Sequence, residues 1–277
     1  MQSLRDKVAV ITGGASGIGK AVAARAAAEG MKLVLADVEE SALEATARAL
    51  TAEGAEVLAV VTDVSDASSV RALRDQTLQR FGGAHLVHNN AGVGAGGPIW
   101  EVTEEEWRWI LGVNLWGVVH GINAFVPVLL EQGEGHVVNT ASVAGLSSTP
   151  GLGPYTATKH AVVAISETLF KDLRAAGAAI GVSVLCPGFV QTGIARSDRN
   201  RPDWAPEHDP ESAAERTSFI QAMVDAGIEP QAVADRVVDA VHDGTFYILT
   251  HPELTPAIAL RHQDILEGRQ PSQGPFG

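Results

Sequence analysis

Seven short runs of β-branched and aliphatic residues, most followed by a longer Ala/Leu-rich stretch of helical period, constrain this chain more than any other feature. The runs are 8–12 (VAVIT), 33–37 (LVLAD), 57–63 (VLAVVTD), 85–89 (HLVHN), 136–140 (HVVNT), 182–186 (VSVLC) and 246–250 (FYILT). Most are continuously apolar, the pattern of strands covered on both faces. Residues 18–29, 41–53, 67–81, 103–131, 155–176 and 230–243 read as helices. Strand and helix in turn predict one doubly wound α/β domain, a parallel sheet of about seven strands with right-handed crossovers. Residues 193–214 interrupt the rhythm with charge and proline, as a functional loop does. The expected domain spans 1–268, with 193–214 as a substrate-loop insertion and 269–277 as a flexible tail.

Composition narrows the partners. With 20 Lys+Arg against 33 Asp+Glu the net charge is −13, and no basic block stands out, which argues against nucleic acid and anionic membrane surfaces. No apolar run approaches the ~20 residues of a bilayer span, so no transmembrane helix is expected. The start, MQSLRDKVAVITGG, reads as a charged lead into a strand and not as a signal peptide. The single cysteine, Cys186, suits a reducing cytoplasm and reads as a packed thiol. Nine histidines include no helical pair at ligand spacing with a carboxylate, so no metal site is expected.

Chemistry enters at TGGASGIG, residues 12–19, directly after the first run. Gly13, Gly17 and Gly19 remove side chains where backbone must turn tightly beside a pyrophosphate, and the helix opening near Ile18 offers unpaired N–H groups. Such turns join many strands to helices; the context raises the signal, because Asp37 ends the second strand, 18 residues after Gly19. Its carboxylate can accept from both adenosine ribose hydroxyls and would repel a 2′-phosphate, and no cation follows at Val38 or Glu39. NAD is therefore favoured over NADP. Lys20 and Arg25 could offset this, and Asp37 could instead cap the next helix.

Tyr155 and Lys159 lie four apart in a helical stretch and share a face. An ammonium ~4 Å from a phenol at an effective dielectric of ~20 is worth ~4 kcal/mol, enough to bring the phenol near neutrality. Tyr-x-x-x-Lys alone is common. Ser142, at the end of the fifth strand where ligands of open α/β sheets bind, strengthens it.

Together TGGASGIG, HNNAG (88–92), Asn114, Ser142, Tyr155-x-x-x-Lys159 and PGFVQT (187–192) resemble the short-chain dehydrogenase/reductase family in its compact, non-extended branch, over about residues 5–250. TAS at 140–142 departs from the commoner Ser-Ser pair but keeps the serine. The resemblance implies a Rossmann-type fold in which Tyr155 is the general acid/base, Ser142 polarises the substrate oxygen, and Lys159 binds the nicotinamide ribose and lowers the tyrosine pKa. Asn114 would position a water linking Lys159 to solvent. Ser16, Gly17 and Ile18 would meet the phosphates, Asp63 and Val64 the adenine, and Asn90, Ala91 and Gly92 the body of the cofactor. Pro187, Gly188, the backbone near Val190 and the Thr192 hydroxyl would grip the carboxamide. Subunits would pair through helices 103–131 and 155–173 as a homodimer or homotetramer.

The uncharged stretch AVVAIS (161–166) supports a second buried surface, which Gly112, Gly117 and Gly121 would let approach closely, with Pro127 bending the helix end. Trp107, Trp109 and Trp116 read as packing or interface residues; Trp204, in the irregular loop, reads as a lid or a surface anchor. The expected function is an NAD-dependent oxidoreductase interconverting a secondary alcohol and a ketone. Small apolar stretches at 93–97 and 143–154 favour a bulky, uncharged substrate, cyclic, aromatic or steroid-like. The rivals are reduction of a sugar or acyl-thioester ketone, and a catalytically silent NAD-sensing protein.

Overall fold

The computed structural model describes residues 1, 3–94, 96–205, 218 and 220–272. One parallel sheet contains β1 (Val8–Thr12), β2 (Lys32–Asp37), β3 (Val57–Val61), β4 (Leu86–Asn89), β5 (Gly135–Thr140), β6 (Ile180–Cys186) and β7 (Tyr247–Leu249), in the order β3-β2-β1-β4-β5-β6-β7. The order reverses between β1 and β4, which opens a crevice at their carboxyl ends, where doubly wound sheets bind ligands. Helices α1 (Gly17–Ala28), α2 (Glu40–Ala52) and α3 (Ala67–Phe81) follow the first three strands. A helix of 29 residues then comprises α4 (Glu104–Ile110), a π-helical turn (Leu111–Trp116) and α5 (Gly117–Gln132). Helices α6 (Gly153–Ala175), α7 (Pro230–Asp243) and α8 (Thr255–Glu267) lie further along the chain.

The strands explain their own apolar runs. Alternate residues enter two cores: Ala9, Ile11, Leu33 and Leu35 pack under α1, α2 and α7, while Val8, Val10, Val34 and Ala36 pack under α3, α5 and α6. Every residue of β1 is buried. Burial on both faces suppresses the period-two signal and selects Val, Ile and Leu throughout.

Several expectations need correction. Helix 104–132 is long and apolar enough to cross a membrane, although no such segment was expected; the run is broken by charge at its ends and by Asn114, which hid its length. Ile110, Phe125 and Leu129 are buried within the fold. The helix continues through Pro127, and the irregular turn lies earlier, at Leu111–Trp116. Gly117 and Gly121 press α5 onto its own chain and not onto a partner: a methyl group at Gly121 would lie 1.9 Å from Asn89 Oδ1, and one at Gly117 2.8 Å from Val64 Cγ2. Helix α8 was not anticipated, because Leu260, Ile265 and Leu266 stay exposed and leave no apolar stripe to read. The expected flexible tail is tied back at its start, since Ser272 N donates to Asp264 (2.9 Å) and Arg269 pairs with Asp264 (3.1 Å). Residues 273–277 of that tail lie outside the described residues.

Two buried histidines give the fold an acid limit. Burial holds His88 and His136 neutral down to about 3, from an ordinary 6.5. The unfolded chain therefore binds more protons between those values, so stability falls as pH falls through this window. Each histidine contributes up to ~1.4 kcal/mol per pH unit. Urea midpoints measured between about pH 6 and about pH 4 should fall less steeply in His136→Gln, by close to one proton's worth. Equal slopes would show that His136 is protonated in the fold.

Candidate active site

The glycine turn shows why the spacing matters. Gly13 and Gly17 adopt left-handed φ of 65° and 52°, which other residues rarely tolerate. A methyl group at Gly19 would lie 2.2 Å from Gly13 O and 2.7 Å from Asn90 Nδ2, so α1 meets the turn with only hydrogen between. Ser16 caps α1 with no side-chain bond, and no acid occupies the first turn. Orphan N–H groups and the positive end of the helix dipole are left for an anion. Asp37 holds this arrangement from β2: Oδ2 accepts from Ala15 N (3.0 Å) and Oδ1 from Glu39 N (3.1 Å).

Across the crevice, the turn after β4 is braced by side chains. Asn90 N and Ala91 N both donate to Thr12 Oγ1 (2.9 and 3.1 Å), and Asn90 Nδ2 donates to Thr12 O (3.0 Å). Thr140 Oγ1 donates to Asn90 Oδ1 (3.3 Å), so His88 Nε2, 2.9 Å from that hydroxyl, carries the proton and donates to it. Among the described residues His88 Nδ1 has no partner. As a bare acceptor it costs less than a stranded N–H, and the tautomer follows.

The four predicted catalytic residues converge at the ends of β4 and β5. Ser142 lies two residues past β5 instead of ending it, and caps the short turn Val143–Gly145. Its Oγ donates to Pro187 O (3.3 Å), accepts from Ala144 N (3.1 Å), and shares a hydrogen bond with Tyr155. Lys159 is 3% exposed and donates to Thr140 O (2.9 Å), its ammonium 5.5 Å from the centre of the Tyr155 ring. Burial lowers the lysine to about 8 and pushes the tyrosine above its ordinary 10.0, against a smaller opposite pull from the Ser142 hydrogen bond. The expected fall of the phenol toward neutrality is absent from the protein alone. Thr140 O fixes the ammonium 5.5 Å from the ring centre, and burial of the phenol is the dominant effect.

Asn114, fully buried in the π turn, spends its side chain on Val93: Oδ1 accepts from Val93 N (2.8 Å) and Nδ2 donates to Val93 O (2.9 Å). A water relay at this residue would have to use its main chain. Cys186 is a packed thiol, as expected, raised to about 12 by burial.

The turn after β6 is fixed from the C-terminal segment. Gly188 N donates to His251 Nδ1 (3.1 Å), and a methyl group at Gly188 would lie 2.7 Å from the His251 ring. Since Pro187 O receives Ser142, one short connection runs from His251 to Ser142. Val190 is buried and bridges to Ile228, and Thr192 borders Gly17 across the crevice.

These elements enclose a cleft of about 910 Å³, toward the upper end of the ~300–1,000 Å³ typical of ligand sites. Of the predicted residues, Ser16, Ile18, Asp37, Asp63, Val64, Gly92 and Tyr155 line it with the rest, while Gly19 and Asn114 stand behind its wall. Asp63 leaves β3 at the rim, its Oδ1 accepting from Ser65 N (2.9 Å). Lys20 and Arg25 do not reach it: Lys20 faces a separate groove, and Arg25 pairs with Glu29 and Asp235.

At the other end the cleft is walled by Val143, Leu152, Phe189, Ile194 and Val224. Trp109, read from the sequence as packing or interface, is buried and also lines the cleft, with the Arg201 guanidinium 4.6 Å over its ring. Trp204 stands half-exposed at the rim, 5.9 Å from Arg108. Trp116 is exposed and stacks on His120, and Trp107 is half-buried. The loop from 193 opens with two short helical pieces within Ile194–Asn200, kinked at Arg196; its part beyond residue 205 lies outside the described residues. The described residues contain no cluster able to hold a metal.

A sequence profile described as short chain dehydrogenase matches residues 7–203. The chain belongs to the short-chain dehydrogenase family. Among curated members, it is 38% identical over 277 residues to the CLA biosynthesis dehydrogenase/reductase of Lactiplantibacillus plantarum, covering 98% of this chain and 97% of that protein. It is 45% identical over 263 residues to the 1-deoxy-11-beta-hydroxypentalenate dehydrogenase of Streptomyces exfoliatus, covering 94% and 88%. A short-chain dehydrogenase/reductase from Burkholderia phymatum, solved in complex with NAD, superposes with a TM-score of 0.96 at 49% identity over 99% of both chains. The family match ends at 203, so His251 and the wall residue Val224 lie beyond it.

Proposed function

We propose that this short-chain dehydrogenase is an NAD-dependent oxidoreductase interconverting a secondary alcohol and a ketone. The observation that carries this reading is the convergence of Ser142, Tyr155 and Lys159 on the cleft that the glycine turn and Asp37 also line. The residues fit the cofactor: left-handed Gly13 and Gly17, the uncapped start of α1 and the Asp37 carboxylate supply a phosphate seat and a ribose acceptor. The Burkholderia structure with NAD supports it, and so does the dehydrogenase of a hydroxylated compound in Streptomyces exfoliatus.

NAD, when bound, supplies the hydride acceptor or donor. Tyr155 takes the proton that leaves the substrate hydroxyl on oxidation and returns it on reduction. Ser142, anchored between Pro187 O and Ala144 N, holds the substrate oxygen beside the phenol. Lys159 orients the ribose and supplies positive charge to the developing phenolate; its lowered pKa lets it trade its own proton near neutrality. The PGFVQT turn would hold the nicotinamide end and so set the ring face offered to the substrate, and Asp63 would border the adenine.

The apolar far wall, with Phe189, Trp109 and Trp204, favours a bulky cyclic, aromatic or steroid-like substrate. We further propose assembly as a homodimer or homotetramer through α4–α5 and α6, where Trp116 and Ala164 are exposed, in a cytoplasmic setting. NADH release across diverse secondary alcohols at about pH 9, with NADP in parallel, tests the reaction and substrate class. Turnover is expected with cyclic and aromatic secondary alcohols. Turnover confined to small charged hydroxy acids would overturn the substrate class, and NAD binding with no turnover of any alcohol would overturn the reaction.

A further inference from the structure

Neither residue after Asp37 is a cation, but the fold brings one there from far along the chain. Arg199 pairs with Glu39 at 2.9 Å, and Asn200 Nδ2 donates to the same carboxylate oxygen, also at 2.9 Å. The guanidinium is fixed on its other side, where Nη1 donates to Gly193 O (3.0 Å) and Arg196 O (2.8 Å). The turn carrying Arg199 is pinned across the cleft as well, Gly94 N donating to Ser197 Oγ (2.8 Å). It thus forms a strap from the β4 turn to the β2 turn, with Arg199 held beside the segment that carries Asp37, whose Oδ1 accepts from Glu39 N. The other cations lining the described cleft stand elsewhere: Lys159 on Thr140, Arg108 and Arg201 against the tryptophans.

Electrostatically this pairing matters. A guanidinium is the side chain best matched to a phosphate, because its planar fork donates in two directions. Beside the ribose acceptor Asp37 it would favour a 2′-phosphate unless its charge were cancelled. Glu39 cancels it. The Asn200 hydrogen bond, with the hydrogen bond and charge of Arg199, holds the Glu39 carboxyl below its ordinary value against the opposing effect of burial, so it stays ionised through the neutral range.

We propose that Glu39 is a second determinant of dinucleotide choice: by pairing with Arg199 it withdraws a guanidinium that lines the same cleft as Asp37 from a 2′-phosphate. Asp37 repels that phosphate directly, and Glu39 disarms the cation that would attract it. This rests on the reading that the adenosine ribose lies at Asp37.

The test is calorimetric titration of the full chain with NAD and with NADP, in the absence of substrate. Glu39→Gln keeps the side chain's shape and frees the guanidinium; it should shift the ratio of the two dissociation constants toward NADP by about tenfold. The shift should shrink between roughly 50 mM and roughly 500 mM salt, and vanish in the Glu39→Gln/Arg199→Ala double variant. Asp37→Ser checks the reading beneath: it should also move preference toward NADP. If Asp37→Ser moves it and Glu39→Gln does not, or if the Glu39→Gln gain survives loss of Arg199, the inference is overturned while the ribose assignment stands. If Asp37→Ser has no effect, the ribose lies elsewhere and both fall.

Discussion

Tyr155→Phe should lower kcat about a thousandfold while leaving NAD affinity within about threefold. The ring stays, and with it the cleft wall and the face over which Lys159 sits. Only the hydroxyl goes, and with it the proton acceptor hydrogen-bonded to Ser142. No other described group is placed for the task. Lys159 is held on Thr140 O, the Cys186 thiol is raised to about 12, and His88 lies fully buried in the sheet. Stopped-flow NADH formation gives the rate, and quenching of protein fluorescence gives the affinity. A variant retaining a tenth of wild-type turnover would mean that another group moves the proton.

Gly19→Ala should weaken NAD binding by about a hundredfold and cost ~1–3 kcal/mol of stability. The added carbon would meet Gly13 O at 2.2 Å, Asn90 Nδ2 at 2.7 Å and Gly13 C at 2.8 Å. Two of these atoms are backbone and cannot rotate away, so α1 must move off the turn it closes. Asn90 would be pushed from Thr12 O, loosening both walls of the crevice. Gly244→Ala is the contrast. Gly244 is left-handed at 72° with nothing within 4 Å of an added carbon, so it should cost ~1 kcal/mol without touching NAD affinity. Calorimetric titration and urea midpoints of both variants separate the effects; equal NAD affinities in the two would contradict the fit of the glycine turn.

Strand positions were legible because both sheet faces are covered: a run such as Val8–Thr12 has no exposed residue to interrupt it. The convergence of Ser142, Tyr155 and Lys159 on one cleft was legible because Tyr155 and Lys159 share one helix and Ser142 follows a recognisable strand. What escaped was carried by long-range contacts. Glu39 and Arg199 are 160 residues apart, and His251 meets Gly188 across 63. The glycines of α5 were recognised as close-approach positions but assigned to the wrong surface. Spacing reports that a helix is narrow, not what lies against it; here Asn89 and Val64 do. The tyrosine pKa failed for a related reason. Four residues of helix place Lys159 on the correct face, but the Thr140 carbonyl decides where its ammonium rests.

The most direct test is a tyrosinate absorbance titration of the protein with and without NAD. The chain has two tyrosines, and Tyr247 is raised to about 12 by burial and its hydrogen bond to Glu167, so ionisation at lower pH reports Tyr155. In the free protein Tyr155 should ionise above 10.0, as burial dictates. With NAD bound, positive charge on the oxidised ring should bring the ionisation below that value, with proton release at a pH between the free and bound ionisations. A titration that NAD leaves unmoved, or a low-pH signal that survives in Tyr155→Phe, would contradict Tyr155 as the group that exchanges the substrate proton.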